Sequence, residues 1–360
     1  MKVIIISTVG LIYDGITSVI LSYLQAMDKT GLEIYVVGTI EVKPKIKKTL
    51  SDLGCNIVEL PSRRKHVFSY FIKLIRLISK EKVNVMHAHG NSGTLAIEML
   101  AGWIAGCKKR IAHSHNTRCE QVVADRILRP IFYVLYTDAV ACGMEAGKWL
   151  FKEKKFLILK NGRDIDKYKY NCNIRTTIRE KYGLGNALTI GHVGGFVEQK
   201  NHRFLLQIYN AILNRVPSAR FIMVGDGVLR EEIEEMSKQY GIYDRIIFTG
   251  NIDNVPEVLQ AMDGMLLPSL FEGLPLVAIE WQISGIPCVL SDVVTKECKL
   301  VEKVSFLSLD APCEVWADEI LRMVKDYDRE SSSFEQLELI REKGFDIKNN
   351  ADVLKKMYLY

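Results

Sequence analysis

The sequence predicts an α/β protein of two Rossmann-like domains, each built on a doubly wound parallel sheet. Short, apolar, β-branched runs alternate with amphipathic stretches along the chain, which is the rhythm of βαβ units. A polar segment with three glycines, 161–186, interrupts this rhythm and is predicted to be the linker. The length of 360 residues suits two domains of about 150–180 residues each.

The first predicted domain covers residues 1–165. Amphipathic stretches such as 17–27 and 67–79 separate its strands. The strands are almost wholly apolar because helices must cover both faces of a parallel sheet. They are predicted at 3–7, 34–37, 56–59, 84–87, 110–113, 139–142 and 156–159.

The second predicted domain covers residues 166–345 and repeats the pattern. Its strands are predicted at 188–193, 220–224, 245–248, 262–267 and 287–290, with helices near 202–216, 229–240 and 276–284. Ligands of open α/β sheets bind at the carboxyl ends of the strands, so we expect both sets of strand-end loops to face one cleft. The last segment, 346–360, is a predicted helix and a candidate to cross back to the first domain.

Charge is distributed unevenly between the halves. Residues 1–165 carry 25 Lys and Arg against 14 Asp and Glu, whereas the rest carries 23 against 29. A basic first half favours an anionic partner such as a membrane surface or a lipid phosphate, although a solvated surface explains it equally well. Nothing in the pattern indicates nucleic acid.

The cysteines and the apolar runs bear on the compartment. Eight cysteines are scattered without a CxxC pair, which favours reduced thiols in a cytoplasmic protein. The apolar start is about seven residues long and is interpreted as a strand rather than a signal peptide. No run approaches the length that spans a bilayer, so we expect a soluble protein or one peripheral at the inner face of the membrane.

The strongest motif is segment 266–280, in which a buried strand leads into a loop and a helix. Glu272 lies in the loop, and Pro275 is predicted to open the helix. The amides of Gly273 and Leu274 then lie at a helix N-terminus, which favours oxygen-rich or anionic ligands. Glu280 follows within the helix, and two carboxylates at this spacing could each accept hydroxyls of a sugar or ribose. The alternative is a surface glutamate and a structural one.

A second motif, 190–202, ends a strand in Gly194 and Gly195 and places Lys200 just before a helix. Glycines allow a phosphate to approach the backbone, and a lysine beside a helix N-terminus adds positive charge. A plain turn between a strand and a helix is the alternative. Nearby, Gly225 is a candidate for backbone contact with a ligand, whereas Asp226 is interpreted mainly as a helix cap.

Histidines end two strands of the first half, in the segments 87–90 and 110–117. They are either ligand-facing groups or hydrogen-bonded strand-end residues. No carboxylate or cysteine completes a familiar zinc spacing, so we expect neither a metal nor a cofactor. A glycine turn at Gly15 joins the first strand to the first helix and is weaker evidence for a site.

Two further segments have competing interpretations. The D-x-D spelling at 164–166 is used by some metal-dependent transferases but is interpreted here as capping and solvation within the linker. The stretch 63–76 is basic and then amphipathic, which suits either an anionic membrane or a helix of the core with a basic lead-in.

These motifs resemble those of the family 4 retaining glycosyltransferases of the two-domain B-type fold (GT-B), especially the branch of bacterial capsule and exopolysaccharide synthesis. The resemblance covers essentially the whole chain and is densest over 191–292. Segment 266–280 matches the E-x7-E motif of the family, and 160–162 matches its interdomain hinge. Gly195 stands where the family usually has an arginine, for which Arg163 and Arg203 are candidate replacements.

The resemblance implies a role for each matched residue. The implied catalytic residues are Glu272 at the donor sugar, His115 at the same sugar and Lys200 at the diphosphate. The implied donor-binding positions also include Gly194, Gly225, Gly273, Leu274 and, at the ribose, Glu280; those on the acceptor side are Gly15, His89 and His113.

The resemblance further implies a metal-independent, retaining transfer of a hexose or N-acetylhexosamine. The donor would be a nucleotide diphosphate-sugar with uridine as the base, and the acceptor a glycan or lipid-linked glycan. A nucleotide-sugar 2-epimerase of related fold and a two-lobed binding protein without catalysis are the alternatives. The epimerase would convert the donor with no acceptor present, and the binding protein would leave it unchanged.

Overall fold

The computed structural model describes residues 1–360, apart from the side chains of residues 332–334. The chain divides into two compact units. The first unit comprises Met1–Gly162 together with Asp346–Tyr360, and the second comprises Arg163–Phe345.

The first unit contains a seven-stranded sheet whose neighbouring strands all pair in parallel. The predicted parallel sheet is confirmed, and the strand ends differ from the predictions by one or two residues. The strand order is β3-β2-β1-β4-β5-β6-β7. The strands are β1 (Lys2–Ser7), β2 (Glu33–Gly38), β3 (Asn56–Glu59), β4 (Val85–His89), β5 (Lys109–Ser114), β6 (Asp138–Ala141) and β7 (Leu157–Ile158).

Helices connect these strands and supply the core. Asp14 begins the first of them, because its side chain accepts a hydrogen bond from the Thr17 amide at 2.8 Å. In the third, Tyr70, Leu74 and Ile78 recur every four residues and are buried against the sheet. The helices are α1 (Gly15–Ala26), α2 (Pro44–Asp52), α3 (Val67–Glu81), α4 (Ala96–Ile104), α5 (Val122–Leu135) and α6 (Met144–Phe151).

The second unit contains a six-stranded parallel sheet with the order β10-β9-β8-β11-β12-β13. Apolar clusters cover both of its faces, one containing Trp281 and the other Trp316. The strands are β8 (Thr189–Val193), β9 (Arg220–Val224), β10 (Ile246–Gly250), β11 (Gly264–Leu267), β12 (Cys288–Ser291) and β13 (Val304–Leu307). The helices are α7 (Ile165–Tyr168), α8 (Cys172–Lys181), α9 (His202–Arg215), α10 (Arg230–Gln239), α11 (Val255–Gln260), α12 (Leu276–Ile283), α13 (Cys313–Val324) and α14 (Arg329–Glu342).

The last helix, α15 (Ile347–Leu359), packs on α1 in the first unit. Asn350 donates a side-chain hydrogen bond to the Lys160 carbonyl at 2.9 Å, and Lys355 forms an ion pair with Asp28 at 2.6 Å. A Cβ on Gly162 would lie 2.8 Å from the amide nitrogen of Ile347, so the chain requires a glycine where the two segments meet.

The prediction of an irregular linker over 161–186 is wrong. That segment contains α7 and α8, and both belong to the second unit. Each of these helices buries very few residues, Ile165 in α7 and Ile178 with Arg179 in α8, which left little apolar signal in the sequence. The predicted capping role of the D-x-D segment is confirmed for Asp164, which accepts from two amides of α7.

The basic stretch 63–76 turns inward at its start. Arg63 is buried and donates to Glu98 on α4 at 2.6 Å, so it is not available to an anionic surface. The interpretation of the following residues as a helix of the core is confirmed by α3. All eight cysteines are free thiols, as predicted. Among the described residues, no helix has both the length and the apolarity needed to cross a bilayer.

Candidate functional site

The candidate donor site lies where the strand order of the second sheet reverses. Strands β8 and β11 are neighbours at the centre, but each connects outward in the opposite direction. The loops that follow them therefore diverge and leave a crevice at the carboxyl edge, where open α/β sheets bind ligands. The two loops also hold each other, because the Leu270 amide donates to the Gln199 carbonyl at 2.8 Å and the Gln199 side chain donates to the Phe271 carbonyl at 2.9 Å.

Lys200 and Glu272, which were predicted on different loops, meet at this crevice. The ammonium of Lys200 lies 2.5 Å from Oε1 of Glu272. Their side chains are only 16% and 10% exposed, so water screens the charges weakly. Ser269 donates to the same carboxylate oxygen at 3.1 Å. A lysine has three donors, and this contact uses one of them, so the ammonium retains hydrogen-bonding capacity for an anion.

Two glycines hold the chain around this pair. A Cβ on Gly194 would lie 2.9 Å from Nε2 of His192 and 3.2 Å from Cε of Lys200, so this glycine makes room for the lysine side chain. Gly225 has φ +133°, and a Cβ there would lie 2.1 Å from the Gly194 carbonyl oxygen. The glycine at 225 therefore allows the two turns to approach each other closely, and its contact with a ligand stays a prediction. Gly195 has ample space, since its nearest neighbour would be the Asp226 carbonyl at 3.6 Å.

His192 and His202 lie beside the lysine and were not assigned a role from the sequence. Nδ1 of His192 contacts the Leu266 carbonyl at 2.8 Å, and its Nε2 is buried without a partner in the described part of the chain. Burial, followed by the repulsion that a protonated His202 would exert, holds the pKa of His192 well below its usual range. Burial and then Lys200 lower the pKa of His202 to about 4. Both imidazoles are therefore neutral near pH 7, and neither adds charge to the site. The only signal in the sequence is their place within segment 190–202.

The second predicted glutamate has a different environment. Glu280 lies within α12 and accepts from Nε of Arg163 at 2.8 Å in a buried ion pair. Tyr168 also hydrogen-bonds this carboxylate, and burial followed by Glu280 raises the pKa of the tyrosine. The structure thus places Lys200, Glu272 and the glycine turns together and ties Glu280 to Arg163 and Tyr168.

Residues 273–275 lead into α12. Pro275 had been predicted to be the first residue of this helix. In the structure the helix begins at Leu276, and Pro275 is its N-cap. Gly273 is exposed and Leu274 partly exposed, so their amides lie at the surface of the unit. Of the two arginines considered as replacements at Gly195, Arg163 is committed to Glu280 and Arg203 pairs with Glu198 and Glu232 on the surface.

In the first unit the strand order reverses between β1 and β4. The Thr8 hydroxyl donates to the His89 carbonyl at 2.9 Å and so ties the two strand-end loops together. Gly15 is the first residue of α1, and a Cβ there would meet nothing within 4 Å. The predicted acceptor-side residues Gly15 and His89 thus lie at the same edge of this sheet, one beginning α1 and the other ending β4.

Four histidines form a cluster at the ends of β4 and β5. His89 is directly paired with His113 in the sheet register, and their imidazole centroids are 4.9 Å apart. Nδ1 of His89 lies 2.8 Å from Nε2 of His115, and Nε2 of His87 lies 3.1 Å from Nδ1 of His113. On the far side, Nδ1 of His87 contacts the hydroxyl of Tyr358 on α15 at 2.7 Å.

The cluster is uncharged at neutral pH. Burial holds the pKa of His87 and of His115 at about 3, and it keeps the pKa values of His89 and His113 well below their usual range. Neutral imidazoles are also metal ligands, and one nitrogen each of His87, His89 and His113 lies within 4.8 Å of the others. Sequence spacing missed this grouping, because the third histidine comes from a separate strand.

The hydrogen bonds of the cluster argue against a metal as its primary occupant. Both nitrogens of His87 already contact Tyr358 and His113, so a metal would have to displace at least one of them. Within the cluster, Nε2 of His113 and Nδ1 of His115 are buried without a partner among the described residues. Both residues, like His89, were predicted to face a ligand, and a neutral imidazole can form a hydrogen bond with a neutral group such as a sugar hydroxyl.

Comparison with known proteins identifies the family. Residues 187–326 match the family described as glycosyl transferases group 1. Over 97% of its length the chain is 30% identical to the putative glycosyltransferase EpsF of Bacillus subtilis, of which it covers 94%. The chain belongs to the group 1 glycosyl transferases. The matched segment of this glycosyl transferase contains Gly194, Lys200, Gly225, Glu272 and Glu280.

Two further known proteins are similar to this glycosyl transferase. Over 63% of the chain it is 29% identical to the UDP-Gal:alpha-D-GlcNAc-diphosphoundecaprenol alpha-1,3-galactosyltransferase of Escherichia coli, of which it covers 62%. The structure of HepE from Anabaena in complex with UDP aligns with a TM-score of 0.80 at 16% identity and covers 99% of both chains. That likeness shows the fold, and the predicted two-domain GT-B architecture is confirmed.

Proposed function

We propose that this group 1 glycosyl transferase is a retaining, metal-independent hexosyltransferase. It transfers a hexose or N-acetylhexosamine from a nucleotide diphosphate-sugar to a glycan or lipid-linked acceptor in the synthesis of a cell-surface polysaccharide. The observation that carries the proposal is the weakly hydrated Lys200–Glu272 pair at the crevice of the second sheet. It puts a cation for the diphosphate beside a carboxylate for sugar hydroxyls.

The pair explains how the donor is bound and the leaving group stabilised. On binding, the diphosphate takes up the remaining donors of Lys200, and the charge that develops as the sugar leaves is stabilised in a site of low polarity. Glu272 then accepts from hydroxyls of the sugar and fixes its orientation. The amides of Gly273 and Leu274 add donors, whereas the Gly194 amide already donates to the Val224 carbonyl at 2.9 Å. Glu280, held by Arg163, binds the ribose.

The acceptor side is assigned to the first unit. Gly15 leaves open space at the start of α1, so a ligand can approach the backbone there. His115 orients the transferred sugar, and His89 and His113 hold it in place through the cluster. Because the four imidazoles remain neutral, they serve as hydrogen-bonding groups rather than as a counter-charge for the diphosphate.

The substrate class rests on the relatives. The galactosyltransferase of Escherichia coli is named for a UDP-sugar donor and a diphosphoundecaprenol acceptor, and HepE was crystallised with UDP. A segment covering 71% of the chain is 38% identical to the Vi polysaccharide biosynthesis protein VipC/TviE of Salmonella typhi. These names favour UDP as the donor nucleotide and a surface polysaccharide as the product.

A panel of nucleotide sugars tests the proposal. We expect a UDP-sugar to raise the melting temperature of the wild-type protein by mass action, and we expect the Lys200→Met variant to lose most of that shift. Transfer is then measured as UDP release with and without a glycan acceptor, and the anomeric product is assigned by NMR. No stabilisation by any nucleotide sugar would refute the proposal, and a new sugar isomer formed from donor alone would indicate an epimerase.

A further inference from the structure

The outward side of α5 carries an unusual amount of exposed apolar surface. Val123, Ile127 and Val134 are 74%, 66% and 82% exposed, and Ile131 lies between them. Their spacing of three and four residues places them along one side of the helix. The opposite side, which includes Phe132 and Leu135, is buried in the core of the unit. The helix is therefore apolar on both sides, and core packing explains only one of them.

Cations surround this apolar row. Arg126 is exposed within it, and a groove of about 340 Å³ beside it is lined by Arg126, Lys152 and the rings of Tyr133 and Trp149. Arg129 also lines the groove, but its guanidinium is paired with Asp125 at 2.8 Å. The ammonium of Lys152 lies 5.4 Å from the centre of the Trp149 ring. Amphipathic aromatic rings together with basic groups are typical of protein surfaces that meet the headgroup region of a membrane.

The neighbouring helices extend the same character. Helix α4 packs between α3 and α5 and is mostly buried, with Trp103 and Ile104 exposed at its end. On α3, Phe68 is exposed beside the exposed cations Lys73 and Arg76. The three helices thus present apolar and basic side chains together, with few acids among them.

We propose that the outward row of α5, defined by Val123, Ile127, Ile131 and Val134 and called the α5 face below, docks on the surface of an anionic lipid bilayer. At 14 residues α5 is about 21 Å long and could lie in the plane of the interface with its apolar row among the acyl chains. The flanking arginines and lysines then lie at the level of the lipid phosphates. This inference rests on the proposed function, because a membrane is where a lipid-linked acceptor is found.

Charge decides between a bilayer and a second copy of the chain. A symmetric dimer through the α5 face would bring the same patch of both copies together, including Arg126 and its basic neighbours. Like charges meeting across a partly desolvated interface oppose association. An anionic surface instead gains from the exposed cations Arg126 and Lys152, and the whole first half of the chain is basic.

The position of α5 links docking to the reaction. The chain runs from His115, at the end of β5, through a short loop into Val122 at the start of α5. Docking along α5 therefore brings the loop at the carboxyl edge of the first sheet, which joins His115 to α5, close to the bilayer. A lipid-linked acceptor could then present its glycan to that edge while its lipid remains in the membrane.

Vesicle sedimentation tests the inference with the full-length protein. We expect the wild type to sediment with vesicles of phosphatidylglycerol and phosphatidylcholine but weakly with phosphatidylcholine alone, and to be released by salt. The double variant Val123→Glu, Ile127→Glu should lose about tenfold or more in apparent affinity, because two charges would enter the apolar layer. The matched control Val315→Glu, Leu339→Glu adds the same charges at exposed apolar positions of the second unit and should bind like the wild type.

Several outcomes would overturn the inference. Equal binding by the α5 variant and the wild type would do so, as would equal binding to both kinds of vesicle. So would a wild-type dimer in light scattering that the α5 variant converts to monomer. The α5 variant should keep its melting temperature and its turnover with a water-soluble acceptor, which excludes misfolding. Conversely, Glu272→Gln should keep vesicle binding while losing turnover, so failure of docking and failure of the proposed function are distinguishable.

Discussion

The Lys200–Glu272 pair yields the most demanding prediction. Replacing Lys200 with methionine keeps most of the side-chain volume but leaves Glu272 charged, 10% exposed and supported by Ser269 alone among the contacts described above. Removing one partner of a buried ion pair costs about 3 kcal/mol. For a unit of this size that corresponds to a fall in melting temperature of about 6–12 °C, measured by circular dichroism. Turnover, measured as UDP release, should fall by at least about 100-fold because a charged contact to the leaving group is lost.

A double variant separates structure from chemistry. Adding Glu272→Gln to Lys200→Met removes the uncompensated charge and should restore most of the lost stability, because a buried ion pair contributes little beyond a neutral replacement. Turnover should stay low, since the variant lacks both the cation for the diphosphate and the carboxylate for the sugar hydroxyls. Wild-type turnover in the double variant, or an unchanged melting temperature in the single variant, would refute the reasoning.

Three further predictions concern the glycines, the histidines and metal. Gly225→Ala should lower the free energy of unfolding by about 3 kcal/mol in urea titrations, because residue 225 has φ +133° and its Cβ would collide with the Gly194 carbonyl. The control Gly195→Ala should change that free energy by less than about 0.5 kcal/mol, because its Cβ has space. Equal effects would contradict this. Burial holds the pKa of His87 at about 3 against 6.5 in the unfolded chain, so the unfolded state gains a proton first as pH falls, and stability should drop by about 1 kcal/mol for this residue between pH 7 and 5.5. His87→Gln should lessen the dependence of stability on pH by about that amount, measured by unfolding at each pH, while the other buried histidines keep theirs. Turnover should survive EDTA; its loss, with recovery on adding Zn²⁺, would assign a metal to the histidine cluster.

The strands other than β13 were predicted because their signal is local. A strand buried on both faces of a parallel sheet must be apolar throughout, so a segment such as 220–224 can be recognised from its own five residues. The ends were less well defined. The strand predicted at 84–87 runs from Val85 to His89, because hydrogen bonding to its neighbours continues into histidines that do not look like strand residues.

Helices that bury few residues were missed for the opposite reason. Helices α7 and α8 fall in a polar segment because they expose most of their surface. The polar composition of that segment was therefore wrongly interpreted as a linker. The partner of His87 could not be predicted at all. Tyr358 is 271 residues away and meets His87 only because α15 packs in the first unit.

The sequence by itself determined the strands, the glycine turns and the residue types available for a sugar diphosphate, since each depends on a few neighbouring residues. Only the tertiary structure decided which of these meet. Lys200 and Glu272 lie 72 positions apart and pair because β8 and β11 are adjacent, while Glu280 turns to Arg163 instead. Strand order follows from packing helices on both faces of a sheet, which is a property of the whole unit and not of any segment within it.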